Sequence, residues 1–470
     1  MSSTYLELPD ENGVARLFFE LTVQGSSITV RYGDIGAAGK QSARDFGSAA
    51  AALAEADRLI AARRRKGYSD AIPGQSTAAG AQDDIQDAPV LWRFNTHSQA
   101  FGLFVNDDGC WVGNEEGKLF SLDIDGLPQK SFQLPDGVKS IVADGDWLYV
   151  GCDNGRVYDL TGGRPVEAYA IDNSVDIYWL DIADARLAVS DAKGNIYVFD
   201  HNHSRQWVKT SSGEQGWMVR FAPEGVYHGH MKGLTIYDRT GSGPLVHRDT
   251  GGAVNFGALG ERNVYIATNA RAVVCFSRAG LANHRYTARC DAAVYCCVAS
   301  EDEQYLFAAD CDGAIYCFDD QGRRVWKMRT GCGSALTMQY FDECLYMVTS
   351  KGVLACVDAS DEAVEESRQG SLPTPRDLRP IEQNATLAVL SVGALPQVKD
   401  IGTGVVLECS TDGSGALSVR VVSAGYRSDW PVQFPQNLRQ AGVRYVVDDV
   451  RAASSGDFYR AFGDIRRLIG

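Results

Sequence analysis

No hydrophobic run in this chain of 470 residues approaches the roughly 18 apolar residues that a membrane-spanning helix needs. The opening residues Met-Ser-Ser-Thr-Tyr-Leu-Glu-Leu lack the basic and apolar segments of a secretory signal. Cysteines number 12, which is few for a disulfide scaffold of this length, and most lie in or beside apolar strand-like runs. These absences argue against the helical membrane class and the secreted disulfide-rich class, and they favour a soluble protein of the reducing cytoplasm.

Positive charge is also in deficit. Asp and Glu number 60 against 45 Lys and Arg, so the formal net charge is −15. A field of this sign repels phosphate, and it argues against a protein that is covered by nucleic acid over its whole surface. Any nucleic-acid binding must therefore come from a local basic patch.

Recognisable catalytic motifs are missing too: there is no Gly-Lys-Ser/Thr phosphate loop, no dinucleotide fingerprint and no nucleophile elbow. The pairs His201-Asn-His203 and His228-Gly-His230 would each supply only two of the three or four ligands of a zinc site. The neighbours Cys296-Cys297 are expected to point to opposite faces of a strand. We therefore predict a non-enzymatic protein without metal or cofactor, and a quinone- or metal-dependent oxidoreductase is the less favoured alternative.

What the chain does contain is a repeat of roughly 40 residues. Seven segments share a polar turn followed by an alternating apolar strand, and their turn positions are spaced by 38 to 42 residues. Those positions are Gly117, Gly155, Gly194, Gly233, Arg271, Gly313 and Gly352. Asp153, Asp191, Asp310 and Asp312 lie near these turns, where their side chains are expected to accept backbone hydrogen bonds. A unit of this size with about four short strands is typical of a propeller blade, so we predict seven blades.

The flanks of the repeats predict how the ring closes. The run Val90-Leu-Trp-Arg-Phe-Asn-Thr96 is similar to Val325-Trp-Lys-Met-Arg-Thr330 within an earlier copy, whereas the chain becomes acidic after Asp358. We therefore expect the N-terminal run to complete the seventh blade and remove its exposed edge. The repeats resemble those of quinoprotein-like, or pyrroloquinoline-quinone-like, β-propellers, whose repeat reads Gly-x-Val/Leu-Tyr-x-Leu/Phe-Asp. The resemblance implies the fold and leaves the function open.

Residues 1–70 predict four strands followed by a helix that Ser48 caps, with Leu53, Ala56 and Ile60 on one helix face. Four runs carry a resemblance to the WGR domain: Phe18-Phe-Glu-Leu-Thr-Val23, Tyr32-Gly-Asp-Ile-Gly36, Gly39-Lys-Gln41 and Lys66-Gly-Tyr68. That module is named for a Trp-Gly-Arg triplet and occurs in poly(ADP-ribose) polymerases and many bacterial proteins. In that family it binds DNA at a strand end or break, with the Trp stacked on the terminal nucleotide. The Arg and nearby basic groups contact phosphate or a neighbouring domain.

The resemblance implies a nucleic-acid interface at the matching positions of this chain. Tyr32 replaces the Trp and can still stack on a base. Asp34 replaces the Arg and puts a carboxylate where a phosphate would lie, which opposes DNA binding. The cations that could contact phosphate are Lys40, Arg44, Arg63, Arg64, Arg65 and Lys66. Because cations at a helix C-terminus also interact favourably with the helix dipole, a purely structural role for the last four stays open.

Composition divides the chain into five segments: a WGR-like domain (1–70), a linker (71–88), a seven-bladed β-propeller (89–360), a second linker (361–380) and a small α+β domain (381–470). In the last segment we expect strands at 385–390, 403–409 and 416–422 and helices at 437–442 and 457–469. The predicted fold class is therefore mainly β, a seven-bladed β-propeller flanked by two α+β domains.

The predicted function is that of a binding or scaffold protein. A protein partner would bind the acidic propeller, and DNA or another nucleic acid would bind the WGR-like domain through the residues named above. No membrane contact is expected. The alternative is a purely protein–protein scaffold, which the net charge and Asp34 favour.

Overall fold

The computed structural model describes residues 2–9, 15–35, 39–64, 66, 68–71, 87–145, 147–160, 165–171, 176–280, 282–366, 375–378, 395–411, 413, 415–453 and 456–469. The chain divides into two compact units, residues 1–86 and 87–470. Parts of both predicted linkers (72–86, 367–374 and 379–380) lie outside the described residues. Within the described ranges, the helices are too short or too polar to cross a membrane.

The first unit is an antiparallel sheet of five strands with one helix against it. Its elements are β1 (Ser2–Pro9), β2 (Ala15–Gln24), β3 (Ser27–Asp34), β4 (Lys40–Asp45), α1 (Ala49–Arg64) and β5 (Ser69–Asp70). The strand order is β4-β3-β2-β1-β5, so successive hairpins build the sheet and β5 returns beside β1. The predicted strands and helix are confirmed, and the Ser48 hydroxyl caps α1 by accepting a hydrogen bond from the Ala51 amide at 3.2 Å.

The core of this unit lies between the sheet and α1. Phe19 of β2 and Ile28 of β3 pack with Ala52 and Ala56 of the helix. The predicted helix face is wrong at Leu53, which is 50% exposed. Residues four apart share a face of a helix, whereas the next residue is rotated by about 100°. The face that starts at Ala52 packs against the sheet, so Leu53 points away from it.

In the described part of the second unit, residues 90–378 form seven successive sheets. The chain enters with β6 (Val90–Asn95). The first three sheets hold β7 (Ala100–Asn106), β8 (Gly109–Asn114), β9 (Lys118–Leu122) and β10 (Pro128–Gln133); β11 (Val138–Asp144), β12 (Trp147–Cys152), β13 (Arg156–Asp159) and β14 (Val166–Ala170); and β15 (Ile177–Ala183), β16 (Arg186–Asp191), β17 (Asn195–Phe199) and β18 (Arg205–Thr210).

The next three sheets have the same four-stranded plan. They hold β19 (Met218–Ala222), β20 (Gly225–His230), β21 (Gly233–Tyr237) and β22 (Pro244–Arg248); β23 (Val254–Leu259), β24 (Asn263–Thr268), β25 (Ala272–Ser277) and β26 (Asn283–Arg289); and β27 (Val294–Ala299), β28 (Tyr305–Asp310), β29 (Ala314–Asp319) and β30 (Arg324–Arg329). The seventh sheet holds β31 (Ala335–Phe341), β32 (Cys344–Thr349) and β33 (Val353–Asp358), after which the chain forms α2 (Asp361–Glu366) and β34 (Arg376–Leu378).

Neighbouring sheets touch through their first strands. β7 contacts β11, β11 contacts β15, and the series continues to β31, which contacts β7 again. The first strands are therefore the innermost ones, and the sheets form a β-propeller-like fold.

The predicted pairing of residues 90–96 with the last repeat is confirmed. β6 pairs antiparallel with β33, which places Trp92 opposite Cys356 and Phe94 opposite Leu354. β34 then adds to β6 in parallel and becomes the fifth strand of the seventh sheet. Segments from both flanks of the repeat region therefore complete this sheet.

Two of the four aspartates predicted to act in the turns do so. Among the described hydrogen bonds, Asp153 and Asp312 accept none from the backbone, and in the second sheet Asn154 accepts from the Arg156 amide instead. Asp191 accepts hydrogen bonds from the amides two and four residues later, and Asp310 does the same in the sixth sheet. Gly313 then supplies a positive φ of 82°. In the fifth sheet Arg271 itself has a φ of 59°, so an arginine holds the left-handed conformation that glycine holds elsewhere.

Beyond β34 the described residues form two small sheets that pack around a separate hydrophobic cluster. The elements are β35 (Gln397–Val398), β36 (Val405–Thr411), β37 (Leu417–Val421), β38 (Val432–Gln433), a 3₁₀ helix (Gln436–Leu438), β39 (Arg444–Val447), β40 (Asp449–Ala452), β41 (Tyr459–Phe462) and β42 (Arg466–Leu468). The orders are β35-β42-β39-β36-β37 and β38-β41-β40. The strands predicted at 403–409 and 416–422 are confirmed as β36 and β37, and the one at 385–390 lies outside the described residues.

The two helices predicted in this region are wrong. Residues 457–469 form β41 and β42, and residues 437–442 contain only the end of the 3₁₀ helix. Phe458, Phe462, Ile465 and Ile469 have helical spacing, but β41 pairs with β40, β42 pairs with β39, and Gly463 separates the two strands with a φ of 82°. The described residues of this region are therefore almost entirely β, and the predicted α+β class is not observed.

Candidate nucleic-acid interface

Tyr32 lies near the end of β3, on the face of the sheet against which α1 packs. Val30 and Ile28, two and four residues earlier, face the same side and contribute to the core. The partner of Tyr32 on β2 is the buried Phe19, but Tyr32 itself is 41% exposed. Its ring therefore stands at the rim of the core with surface available for stacking.

Strand β4 forms the edge of the sheet next to Tyr32 and exposes every one of its side chains. Lys40 lies directly opposite Tyr32, and Arg44 lies opposite Ile28. Directly opposed residues of an antiparallel pair point to the same side, with Cβ atoms about 4.5–5.5 Å apart. The register therefore brings the aromatic ring and two of the predicted phosphate contacts onto one surface.

Two glycines allow β3 and β4 to approach closely beside Tyr32. A Cβ atom on Gly33 would lie 2.9 Å from the Gly39 Cα, and one on Gly39 would lie 2.6 Å from the Phe18 Cζ. A larger residue at either position would displace the Phe18 ring or separate β3 from β4, and separation of the strands would move Lys40 away from Tyr32. The next residue of the triplet, Asp34, ends β3, and its side chain lies outside the described part of the structure.

The C-terminal end of α1 adds a third cation to this surface. The Arg63 guanidinium carbon lies 4.6 Å from the ring centroid of Phe19 and 5.6 Å from that of Tyr68. A guanidinium at such distances is attracted by the ring electrons. Since Phe19 is the cross-strand partner of Tyr32, Arg63 belongs to the same side of the sheet.

The other helix-end cations differ from Arg63. Arg64 donates two hydrogen bonds to Asp70, at 2.9 and 2.8 Å, so its charge is neutralised. Lys66 is exposed, two residues beyond the end of α1. Arg65 lies outside the described residues. The structure therefore does not bring the predicted basic run together as one patch.

We call Tyr32, Lys40, Arg44 and Arg63 the Tyr32 face. Among the described residues, its three cations have no carboxylate within ion-pair distance, whereas Arg31, Arg58 and Arg64 of the same unit are paired. Arg31 lies 2.8 Å from Glu20, and Arg58 lies 2.7 Å from Glu55. The residues predicted from the sequence thus form an exposed ring beside positive charge, although Arg44 is near enough to Glu55 to help lower the pKa of that carboxyl.

The opposite side of the sheet carries an aromatic cluster that the sequence reasoning missed. Tyr5 stacks on the buried Phe18 with centroids 5.7 Å apart, and the Arg31 guanidinium lies 4.9 Å from the same ring. Burial and the nearby Glu7 carboxylate raise the pKa of Tyr5 to about 12. Because Arg31 also donates a hydrogen bond to Glu20, this face offers less uncompensated charge. Strand alternation places these residues together, but only once the register of β1, β2 and β3 is known.

The amino-acid sequence of residues 2–75 matches the WGR domain family. This segment is a WGR domain. The match contains all four residues of the Tyr32 face. It covers less than a fifth of the chain, so it identifies this module and not the whole protein.

No curated protein matches the sequence. Among solved structures, the crystal structure of the WD40 β-propeller domain of Doa1 is similar, with a TM-score of 0.50 and 12% identity over 59% of this chain and 99% of that one. The computationally designed protein Ika8 has a TM-score of 0.47 and 13% identity over 58% of this chain and 99% of its own. The first of these similarities supports the β-propeller-like fold of the second unit and, at this identity, says nothing about function.

The two histidines of β20 occupy packed positions. His228 is fully buried, neither of its ring nitrogens has a hydrogen-bond partner, and burial lowers its pKa to about 3. His230 Nδ1 accepts a hydrogen bond from the Lys232 amide, and its Nε2 lies 2.9 Å from the Thr235 hydroxyl. No three His, Cys, Asp or Glu side chains of the described residues gather as metal ligands.

The second histidine pair packs against aromatic rings. His201 stacks on Phe458 of the C-terminal region with centroids 3.7 Å apart, and His203 lies 4.4 Å from Tyr169. Burial lowers the pKa of both histidines. These contacts give both residues a structural role.

Cys296 and Cys297 point in opposite directions, as predicted for neighbours on a strand. The Cys296 thiol donates to the Ala335 carbonyl of the seventh sheet at 3.4 Å, and the Cys297 thiol donates to the Tyr265 carbonyl of the fifth at 3.6 Å. Both are free and buried, and burial raises both pKa values. Two inert thiols are therefore part of the packing between sheets.

Proposed function

We propose that this protein is a non-enzymatic scaffold that binds nucleic acid on its WGR domain and a protein partner on its propeller. The observation that carries the proposal is the Tyr32 face, where a 41% exposed ring stands beside cations that no described carboxylate pairs. A ring of this kind stacks on an unpaired or terminal base, while the cations neutralise phosphates. The WGR domain is a nucleic-acid-binding family, which supports the same reading.

We also propose that the seven sheets are the blades of a closed seven-bladed propeller of the quinoprotein-like repeat type. Hydrogen bonds across the junction between the last and first sheets support closure. The Thr337 hydroxyl donates to the Phe101 carbonyl at 2.7 Å, and the Gln339 amide group bonds both the N–H and the carbonyl of Val105. A closed ring leaves only short, protected sheet edges and presents its turns and loops as a rigid surface for partners.

The proposed binding of nucleic acid is tested by a gel shift. The full-length protein is titrated onto nicked and blunt-ended duplex DNA at about 50 to 200 mM salt. Tyr32→Ala should weaken binding by about ten-fold or more, since stacking on a base is worth about 1–3 kcal/mol, and Tyr32→Phe should keep it. Lys40→Gln and Arg44→Gln should each lower the slope of log affinity against log salt by about 0.9.

Arg58→Gln is the matched control for these charge changes. It removes one positive charge from the same module, but a charge that Glu55 already neutralises. Its DNA affinity should match that of the unaltered protein. Equal losses for Arg58→Gln and Lys40→Gln would mean that total charge, and not the Tyr32 face, determines binding.

A protein–protein scaffold that binds no nucleic acid is the second candidate function. Asp34, at the third position of the triplet, favours it because a carboxylate opposes phosphate. Absence of any DNA shift at low salt would favour this alternative and contradict the proposed nucleic-acid binding.

A further inference from the structure

Six of the seven innermost strands share an irregularity at their second residue. The register with the neighbouring strand shifts there, so that the second residue is skipped. The residues on either side of the skipped position are buried, while the skipped residue is partly exposed. The skipped residues are Phe101, Lys139, Tyr178, Asn255, Tyr295 and Leu336, and in the fourth sheet Trp217 directly precedes the innermost strand. We call these seven residues the mouth ring.

Members of the mouth ring touch across the junctions between sheets. Lys139 Nζ lies 4.2 Å from the centroid of the Phe101 ring, between the first and second sheets. Tyr178 and Trp217 stack with centroids 3.9 Å apart and an interplanar angle of 20°, between the third and fourth. All seven residues stand where the innermost strands begin, so they surround one end of the channel that the strands enclose.

The contacts of Lys139 indicate which kind of group the mouth ring can bind. Its ammonium group lies over the Phe101 ring and 3.5 Å from an Asp153 carboxylate oxygen. An aromatic face together with a carboxylate holds a primary ammonium group better than either alone.

The Tyr178–Trp217 stack next to it has the same components. Asp176 lies two residues before Tyr178, and Asp153 directly follows β12, a strand that contacts β15, so both carboxylates lie at the end of the ring where the stack stands. Burial and these two negative charges raise the pKa of Tyr178. Among the described residues, no lysine or arginine lies over either ring of the stack as Lys139 does over Phe101.

We infer that the Tyr178–Trp217 stack, with Asp176, is the docking site for a lysine or arginine side chain of a protein partner. The inference rests on the proposed platform role of the propeller, and it specifies the position and the chemistry of that contact. Lys193 and Lys232 lie on the turns after β16 and β20, at the same end of the ring. Carboxylates lie at this end too, Asp136 before β11 and Glu214 before β19 among them, so the inference concerns the single basic side chain that contacts the stack.

The test uses the full-length protein and a capped peptide, Ser-Gly-Lys-Gly-Ser, followed by tryptophan fluorescence and ligand-detected NMR. The lysine peptide and its arginine analogue should bind saturably, and the Nε-acetyllysine peptide should bind at least about five-fold more weakly because it has no charge. This comparison needs no change to the protein. Equal affinity for the two lysine forms, or no saturable binding, would overturn the inference.

Variants then locate the site. Trp217→Ala should weaken the lysine peptide by about five-fold or more, and Trp217→Phe should stay within about two-fold. Asp176→Asn should weaken it as well, whereas Asp57→Asn removes the same charge from an exposed position on α1 and should change nothing. Unchanged affinity in both Trp217→Ala and Asp176→Asn would contradict the site.

The same samples are taken through the DNA gel shift. Absence of saturable lysine-peptide binding by the unaltered protein, with an intact DNA shift, would overturn this inference and leave the proposed nucleic-acid binding standing. Absence of the DNA shift with intact peptide binding would do the reverse.

Discussion

His228 is buried with no hydrogen-bond partner on either ring nitrogen, which makes the folded chain unable to accept a proton there in mild acid. The pKa falls from 6.5 to about 3 through burial. Below pH 6.5 the unfolded chain takes up a proton that the folded chain refuses. His228 therefore does not reduce the free energy of unfolding above pH 6.5. Below that pH it lowers the free energy of unfolding by up to about 1.4 kcal/mol per pH unit.

His228→Leu should remove the part of the stability loss below pH 6.5 that His228 causes. The thermal midpoint of the variant should fall less between pH 7 and about pH 4 than that of the unaltered protein. His284→Gln removes an exposed histidine and should keep the original slope. Parallel pH profiles for His228→Leu and the unaltered protein would show that His228 is protonated in the folded state.

Arg271 occupies a backbone conformation that costs free energy for any residue with a Cβ. Its φ is 59°, and glycine has a positive φ at the same position of the other repeats, 74° at Gly352 for example. Arg271→Gly should raise the free energy of unfolding by about 1 kcal/mol. Gly352→Ala should lower it, because a Cβ there would lie 2.1 Å from the Ser98 carbonyl oxygen. Urea unfolding measures both, and a loss of stability in Arg271→Gly would contradict the strain.

Among the elements, β6 contributes most clearly to closure of the ring, since it joins the last repeat to a segment that precedes the first. Phe94 of this strand is fully buried and packs edge-on to Phe120 of the first sheet, with centroids 5.2 Å apart. Phe94→Ala should lower the free energy of unfolding by about 3–5 kcal/mol. Leu127→Ala, at a 49% exposed position of the first sheet, should cost less than about 0.5 kcal/mol. If Phe94→Ala lowered the free energy of unfolding only slightly, the ring of sheets would stay closed without the packing of β6.

The pairing of β6 was predictable because a repeat makes the missing strand visible: every earlier copy has a fourth strand, and residues 90–96 resemble one. The turns were predictable for the same reason, since Asp191 and Asp310 act on amides only two and four residues away. Local chemistry that recurs at a fixed period can be read without knowledge of long-range contacts.

Elements that depend on distant partners were predicted less well. The segment 457–469 has helical apolar spacing, yet it pairs with strands formed by residues 444–452. The sequence indicated Tyr32 and Lys40 as separate candidates, but their juxtaposition depends on the register of β3 and β4. The mouth ring has no local signal, because a one-residue shift in pairing is decided by packing between sheets.

At the scale of the whole molecule, the C-terminal sheets are attached to the propeller by buried polar contacts. Arg460 is 3% exposed, forms an ion pair with Asp144 and lies 4.5 Å from the centroid of the Trp147 ring. The Gln433 side-chain amide donates to the Tyr149 hydroxyl at 3.2 Å. These contacts explain why residues 87–470 form one compact unit, although the sequence suggests a separate domain after residue 380.

Arg460→Ala should therefore weaken the whole second unit. It would leave the carboxylate of Asp144 largely buried without its cation, and breaking a buried pair in this way costs about 3–5 kcal/mol. Arg427→Ala removes an arginine from an exposed pair with Asp429 in the same region and should cost less than about 1 kcal/mol. Urea unfolding of the full chain compares them. Equal midpoints for the two variants would mean that Arg460 does not couple the C-terminal sheets to the propeller, and that these sheets unfold independently of it.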